Sequence, residues 1–75
     1  MWESGSINGH TWQAKVFDTP SPLGIAGGRV SKLTITNDAT GRVMLNYDRG
    51  WDIRPAFTDR VTPAILEAIL AKYPS

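Results

Sequence analysis

The dipeptide Asn8-Gly9 stands between two segments in which apolar and polar residues alternate. Asn-Gly is the strongest short-range signal for a β-hairpin, because a two-residue type I′ turn requires positive φ at both central positions. With these residues as the turn, Gly5 pairs with Trp12, whose large ring can cover the backbone that glycine leaves bare. This register collects the apolar residues on one face, and a shift of one residue would turn the polar set inward. The sequence therefore predicts a first hairpin over about residues 2–17.

A second hairpin is predicted over about residues 29–53, with residues 38–41 as its turn. These four residues are typical of a type I turn that ends in a left-handed glycine, a common hairpin loop. The turn sets three cross-strand pairs: Ile35 with Leu45, Leu33 with Tyr47, and Lys32 with Asp48. The first two pairs are apolar and the third is an ion pair on the opposite face, so the register agrees with the polarity of the side chains.

The end of the chain predicts one amphipathic helix over about residues 63–73. Thr62 can cap its N-terminus, and Pro63 suits the first helical position, where no backbone N–H is needed. Apolar residues recur there at helical spacing: Ile65, Leu66, Ile69, Leu70 and Tyr73. Between the hairpins, residues 18–28 contain two prolines and three glycines, which predicts a long loop.

These elements predict an α+β fold in a single domain over residues 1–75. The two hairpins form a four-stranded antiparallel sheet in the order ββββα along the chain, and the C-terminal helix packs on one face of that sheet. A chain of this length buries only about 60% of the surface that its unfolded form exposes. A homo-oligomer is therefore a further expectation, because association is one way in which small domains gain stability.

Composition limits the classes of function. The chain has no cysteine and one histidine, which excludes a disulfide framework and a thiolate zinc site. Its net charge of +1 is too balanced for a protein that follows a nucleic-acid backbone. It has no apolar run near the ~20 residues of a membrane span, and its N-terminus lacks the pattern of a signal peptide. We therefore expect a cytoplasmic protein with no extended nucleic-acid partner and no membrane partner.

No group of residues predicts catalysis. His10 follows the turn glycine, where we expect a solvent-facing strand residue rather than a general base. Ser4 and Ser6 lie on the polar face of the first hairpin beside no obvious base. The sequence therefore predicts a protein that is not an enzyme, with no metal site and no cofactor.

The glycine-rich segment 24–29 superficially suggests a phosphate cradle. It lacks the Gly-Lys-Ser/Thr ending of a P-loop and leads into a strand, so no helix N-terminus is available for a phosphate. The favoured interpretation is a connection between the hairpins. A backbone nest for an anion, with Arg29 beside it, stays open as the alternative.

The densest cluster of arginines and aromatics lies in residues 47–55, which we read as one strand with a bulge at Gly50 and an end at Pro55. Two interpretations stay open. In the first, the cluster is structural. Tyr47 and Trp51 then belong to the core, and Arg49 and Arg54 pair with Asp52 and Asp59. It can also bind a ligand, since arginine recognises phosphates and stacks on planar groups. The candidate ligand-binding residues are Arg29, Tyr47, Arg49, Trp51, Asp52 and Arg54.

Three strings resemble those of a family of small uncharacterised proteins from Gram-positive bacteria and their phages. They are W-x-S-G-x-I-x-G-x-x-W at residues 2–12, G-I-x-G-G-R-x-S-K-L at 24–33 and Y-D-R-G-W-D at 47–52. The resemblance covers nearly the whole chain and implies a stand-alone protein, of a kind that phages encode. Small phage proteins often act as counter-defence factors, which block a host protein or sequester a signalling nucleotide.

Three functions follow as hypotheses. The first is a non-catalytic binder of an anionic nucleotide-type ligand, in which Arg29, Arg49 and Arg54 hold phosphates while Trp51 or Tyr47 stacks on the base. The second is an inhibitor or adaptor that binds a host defence protein through a patch of Trp2, Trp51 and the 18–28 loop. The third is a structural or assembly module without a separate ligand.

Overall fold

A computed structural model describes residues 1–74 as a single antiparallel sheet with a C-terminal helix. The strands are β1 (Trp2–Ile7), β2 (His10–Val16), β3 (Val30–Asn37), β4 (Val43–Asp48) and β5 (Trp51–Ile53). The helix α1 spans Val61–Lys72, and a short 3₁₀ turn occupies Ile25–Gly27. The strands lie side by side in the order β1-β2-β3-β4-β5, so each one pairs with its neighbour in sequence. The α+β class is confirmed.

The first hairpin has the predicted turn and register. Asn8 and Gly9 have φ of 50° and 74°, the left-handed values that a type I′ turn requires. Gly5 lies opposite Trp12, and a Cβ built on Gly5 would lie 2.8 Å from Trp12 Nε1. The indole therefore takes the space of the missing side chain, as the sequence indicated.

The second hairpin also has the predicted register. Ile35 pairs with Leu45, Leu33 with Tyr47, and Lys32 with Asp48. The Lys32 Nζ to Asp48 Oδ1 distance is 3.6 Å, so the expected cross-strand ion pair forms. The turn closes on Gly41, which has a φ of 72°.

The prediction of four strands is wrong, because the sheet has five. The chain does not continue straight past Asp48. Arg49 adopts a left-handed conformation with a φ of 58°, and the chain reverses so that Trp51 pairs back with Tyr47. Segment 29–53 therefore contains three strands instead of two, and the irregularity expected at Gly50 is a tight turn.

The core lies between one face of the sheet and α1. Its buried apolar residues are Trp12, Ala14, Val16, Ile25, Val30, Leu33, Ile35, Leu45, Tyr47, Ile65 and Ile69. Leu66, Leu70 and Tyr73 are partly buried against this cluster, so the predicted apolar stripe of the helix does face the sheet. Within residues 1–74 the opposite face of the sheet carries no helix, and we call it the open face.

The position of the His10 side chain differs from the one expected from the sequence. Its side chain is buried, with Nδ1 2.9 Å from the carbonyl oxygen of Asn8. Because His10 pairs with Ile7 and alternates with Trp12, it belongs to the face that packs in the core. The expectation of a solvent-facing histidine is therefore wrong, while the absence of a general-base role stays a prediction.

The helix begins at Val61, two residues before the predicted start, and Thr62 is inside it and fully buried. The capping group is the carboxylate of Asp59. Its Oδ1 accepts hydrogen bonds from the backbone N–H of Val61 and of Thr62, both at 2.9 Å, and Oδ2 accepts one from the Thr62 hydroxyl at 2.5 Å. The hydrogen bonds from Thr62 are the main reason that the pKa of Asp59 lies below its ordinary value of 3.8.

Replacing Asp59 by alanine is expected to lower the free energy of unfolding by about 1 kcal/mol, since the first N–H groups of the helix lose their acceptor. The lowered pKa also predicts a pH dependence. The charged carboxylate stabilises the fold above the unfolded-state pKa, and this contribution is lost as the pH falls through the lower pKa of the folded state. Urea denaturation at several pH values between neutral and acid should show it.

Asp59→Asn is the matched control, since asparagine also caps helices but does not titrate. Subtracting its unfolding free energy from that of the unaltered chain at each pH isolates the titration of Asp59 from that of the other carboxylates. A difference that does not change with pH would contradict the role assigned to the charge.

Candidate anion-binding site

Cross-strand pairing places cationic side chains together on the open face. Trp2 pairs with Lys15, Lys15 with Lys32, and Lys32 with Asp48, so these four residues form one row across β1 to β4. Paired residues of antiparallel strands point to the same side of the sheet. The row therefore puts two lysines next to each other, with one aspartate at its end.

Lys15 and Lys32 are directly opposite on neighbouring strands, an arrangement that destabilises a sheet. Asp48 offsets part of this charge, because its Oδ1 lies 3.6 Å from Lys32 Nζ and 3.8 Å from Arg49 Nε. Lys15 has no carboxylate within ion-pair distance in residues 1–74 and lies instead over the Phe17 ring, with Nζ 5.6 Å from the centroid. The cluster holds three cations and one acid, so it keeps an excess of positive charge.

These cations surround a groove of about 350 Å³ at the end of the sheet. It is lined by Lys15, Phe17, Leu23, Ser31, Lys32 and Arg49. The Ser31 side chain is buried, and its hydroxyl lies 3.5 Å from the Lys15 carbonyl oxygen. Phe17 keeps 38% of its surface exposed and forms an aromatic wall. The groove therefore offers positive charge together with a planar apolar group.

The conformation of Arg49 brings it to this groove. Its backbone N–H donates to the Ser31 carbonyl at 2.9 Å. This hydrogen bond continues the contact with β3 one residue past the end of β4. Its positive φ costs a non-glycine residue on the order of 1 kcal/mol or more. Strained residues of this kind cluster at functional sites, and here the strained residue carries one of the three cations.

Arg49 is one of six predicted site residues, and the other five lie elsewhere. Tyr47 is a core residue whose hydroxyl donates to the Leu23 carbonyl at 2.9 Å. Trp51 lies edge-on to Tyr47 with ring centroids 5.1 Å apart. The Arg54 guanidinium lies 5.0 Å from the centroid of the Trp51 ring. Trp51 is thus placed between a core aromatic and a cation, and this part of the cluster extends the core at the sheet edge.

Asp52 belongs to a hydrogen-bonded chain across three strands. The Thr34 hydroxyl donates to Asn46 Oδ1 at 2.9 Å, and Asn46 Nδ2 donates to Asp52 Oδ2 at 3.0 Å. The pairing of Arg49 and Arg54 with Asp52 and Asp59, considered from the sequence, does not occur within the described residues 1–74. Asp52 therefore ties β5 to the sheet.

Arg29 connects the segment after β2 to the segment after α1, and it does not line the groove. Its Nε donates to the Phe17 carbonyl at 2.8 Å, and its guanidinium also contacts the Pro74 carbonyl at 3.3 Å. The same guanidinium lies 6.0 Å from the centroid of the Tyr73 ring. Its hydrogen bonds go to the backbone of this chain, which explains an arginine at this position without a ligand.

The glycine-rich segment forms a closed loop. The backbone N–H groups of Ser21, Gly24, Gly27 and Gly28 donate to the loop's own carbonyls at 2.9–3.0 Å. A backbone nest for an anion needs N–H groups that are free to point at it. The structure therefore supports the interpretation as a connection between hairpins.

The predicted protein-binding patch does not form, because its two tryptophans, Trp2 and Trp51, lie far apart on the sheet. Trp2 lies on the open face of β1, and Trp51 shares the core-side face of Tyr47 on β5. Because β1 and β5 are the two opposite edges of the sheet, the two indoles do not form one patch. Both are exposed, by 60% and 37%.

The residues that sequence reasoning missed are Lys15, Phe17, Leu23, Ser31 and Lys32. Within each hairpin, the alternation of apolar and polar residues puts the lysine on the polar face. What brings the two lysines together is the pairing of β2 with β3, which joins residues of different hairpins across the 18–28 loop. The described part of the chain contains no group of three His, Asp or Glu side chains placed to hold a metal ion. In residues 1–74 there is likewise no helix long and apolar enough to cross a membrane.

Comparison with known proteins gives a family without an assigned activity. No curated protein and no solved structure matches the chain significantly. One family model, a domain of unknown function designated DUF7678, matches residues 1–74 and so spans nearly the whole sequence. The chain therefore belongs to the DUF7678 family.

Proposed function

We propose that this protein is a non-catalytic binder of a small anionic ligand, held in the groove between Lys15, Lys32 and Arg49. The main support for this proposal is that Lys15 on β2 lies directly opposite Lys32 on β3. This arrangement costs stability in the free protein, and a bound anion would remove the cost. The strained conformation of Arg49, which adds the third cation, supports the same proposal.

The size of the groove favours a discrete ligand over a polymer. A volume of about 350 Å³ is at the lower end of the range for small-molecule sites. The net charge of +1 is more balanced than that of proteins that follow a nucleic-acid backbone. The ligand is therefore expected to carry its negative charge on one compact group.

The lining indicates the chemistry of that ligand. Lysine ammonium groups bind phosphate as point charges, and arginine adds a planar fork of donors. The exposed Phe17 ring can stack on a planar group. A phosphate joined to an aromatic base fits this lining, which makes a nucleotide the ligand class of the proposal.

The resemblance to small proteins of Gram-positive bacteria and phages extends the proposal. In that setting, a protein that binds a nucleotide without converting it would act by sequestering a signalling molecule, as a counter-defence factor. This extension depends on the resemblance and on no residue of the site. A host protein as the target is the alternative, which pull-down from a host lysate would test.

Thermal unfolding against a panel of mononucleotides, cyclic nucleotides and ADP-ribose tests the proposal. A ligand present at about 100 times its Kd stabilises the fold by about 2.7 kcal/mol. For a chain of this size that corresponds to a rise in Tm of about 10 °C or more. We expect Lys15→Gln to remove most of this rise, because Lys15 is the cation that lacks an acidic partner in residues 1–74.

Arg54→Gln is the matched control, since it removes one positive charge outside the groove. It should keep the ligand-induced rise. Arg49→Gly separates binding from folding: it relieves a positive φ, so Tm without ligand should be maintained or increase, while the ligand-induced rise falls. Equal losses for Arg54→Gln and Lys15→Gln would move the site to the Trp51 cluster, and no rise with any ligand would reject the proposal.

A further inference from the structure

The two edges of the sheet differ in how they are protected against pairing with another chain. β5 has three residues, its register is interrupted by a bulge, and Pro55 follows closely. Short strands, bulges and proline are the usual protections of an edge. β1 has six residues, Trp2–Ile7, with an uninterrupted register and without proline, lysine or arginine. Its one protection is a charge on the core side of the sheet, Glu3 opposite Ala14, so β1 is the less protected of the two edges.

The hydrogen bonds of β1 show which of its backbone groups point outward. Met1 and Val16 exchange two hydrogen bonds, from the N-terminal ammonium to the Val16 carbonyl at 2.9 Å and from Val16 N–H to the Met1 carbonyl at 2.8 Å. Residues that exchange bonds alternate along an antiparallel strand with residues whose N–H and C=O point away. The odd-numbered residues of β1 therefore face β2, and Trp2, Ser4 and Ser6 point their backbone groups outward.

We propose that β1 pairs antiparallel with β1 of a second copy of this chain, with Ser4 on the two-fold axis. In this register Ser4 faces Ser4 of the second copy, and Trp2 faces its Ser6. Each of the three outward residues exchanges two hydrogen bonds, for a total of about six. A register shifted by one residue has no outward groups in contact, and a register shifted by two loses one of the three pairs.

The side chains of β1 are compatible with this partner. Glu3, the sole charge in Trp2–Ile7, faces Gly5 of the second copy, so no like charges meet. Beside the edge, Trp2, Glu3, Ser4 and Gln13 line a groove of about 290 Å³, to which Trp2, Ser4 and Gln13 contribute from the open face. The small Ser4 and Ser6 side chains of the second copy would lie along it. The Trp2 indole, 60% exposed in one chain, would then lie over Ser6 of the second copy.

This self-complementarity is the reason for choosing a second copy as the occupant. The same strand supplies both the donors and the acceptors, as a two-fold interface requires. The pairing continues the sheet across the axis and keeps the open faces of both copies on the same side. It does not depend on the proposed anion site, which lies at the Lys15, Lys32 and Arg49 end of the open face.

Ser4→Pro tests the proposal. Proline removes the outward N–H of Ser4 at the axis and is tolerated in an edge strand whose N–H faces solvent. By sedimentation and light scattering we expect about twice the 8.2 kDa chain mass for the unaltered protein and the mass of one chain for Ser4→Pro. Ser4→Ala keeps the N–H and should remain dimeric. Near-ultraviolet circular dichroism of the buried Trp12 reports whether each variant is folded.

Ser4→Lys is the second variant, for the case in which Ser4→Pro fails to fold. It keeps the backbone N–H but places two ammonium groups together at the axis, so it should be monomeric with an unchanged near-ultraviolet spectrum. A single-chain mass for the unaltered protein up to millimolar concentration would overturn the proposal. A dimeric Ser4→Lys or a folded, dimeric Ser4→Pro would also overturn it, by assigning the dimer to another surface.

Discussion

Replacing Tyr47 by alanine is expected to lower the free energy of unfolding by about 3–5 kcal/mol, the usual range for a large buried aromatic residue. Tyr47 is 7% exposed, contacts Trp51 and donates its hydroxyl to the Leu23 carbonyl. A domain of 75 residues has a total stability of about 4–11 kcal/mol, so this loss is a large part of the whole. Trp51→Ala should cost about 1–2 kcal/mol, because Trp51 is 37% exposed and lies at the sheet edge.

Urea denaturation followed by far-ultraviolet circular dichroism measures both values without depending on the tryptophan signal. Tyr47→Phe is the control that keeps the ring and removes the hydroxyl. It should cost about 1–2 kcal/mol, because the Leu23 carbonyl loses its partner. A similar loss for Tyr47→Ala and Trp51→Ala would contradict the assignment of Tyr47 to the core and of Trp51 to its edge.

The parts of the fold that the sequence predicts correctly are those that depend on local turn residues. Asn8-Gly9 and Gly41 each require a left-handed backbone, and each is bounded by alternating residues that admit one register. Both registers are confirmed, residue by residue. The helix is predicted by the spacing of its apolar residues, but its start is not, because the capping Asp59 lies before the residues that suggested a cap.

The fifth strand was missed for a physical reason. The turn before it uses Arg49 in a left-handed conformation, which arginine adopts rarely and which local sequence does not indicate. Its backbone bond to Ser31 on another strand helps to hold this conformation, so the turn depends on tertiary contact. His10 shows a different kind of error, because the correct register already placed it on the core face opposite Ile7.

The candidate site was predicted only in part because its residues meet through pairing between the hairpins. The sequence indicates the pairs within each hairpin, whereas Lys15 and Lys32 belong to different hairpins. Arg49 was selected for its place among aromatic residues and reaches the groove by a turn that was not predicted. The fold therefore separates the arginines and aromatic residues that are close together in the sequence. It brings together Lys15, Lys32 and Arg49, which are far apart in the sequence.

Gly24→Ala is also expected to have a large effect, because it should open the 18–28 loop. A Cβ on Gly24 would lie 2.1 Å from the Gly28 carbonyl oxygen, which is backbone and cannot move without breaking the loop. Gly24 itself has a φ of −77°, which alanine adopts easily, so the effect is purely steric. The loop carries buried Ile25 and the Leu23 carbonyl that Tyr47 bonds. Losing both should cost about 3 kcal/mol or more.

Limited proteolysis and hydrogen exchange should therefore show loss of protection at residues 21–28, with the first hairpin less affected. Gly50→Ala is the matched control, because a Cβ there meets no atom within 4 Å among the described residues. Since Leu23 also lines the groove, Gly24→Ala should weaken the binding of any anion that stabilises the unaltered protein. An opened loop with undiminished binding would show that the ligand does not contact Leu23. Unchanged protection at residues 21–28 would contradict the close packing of Gly24 on Gly28.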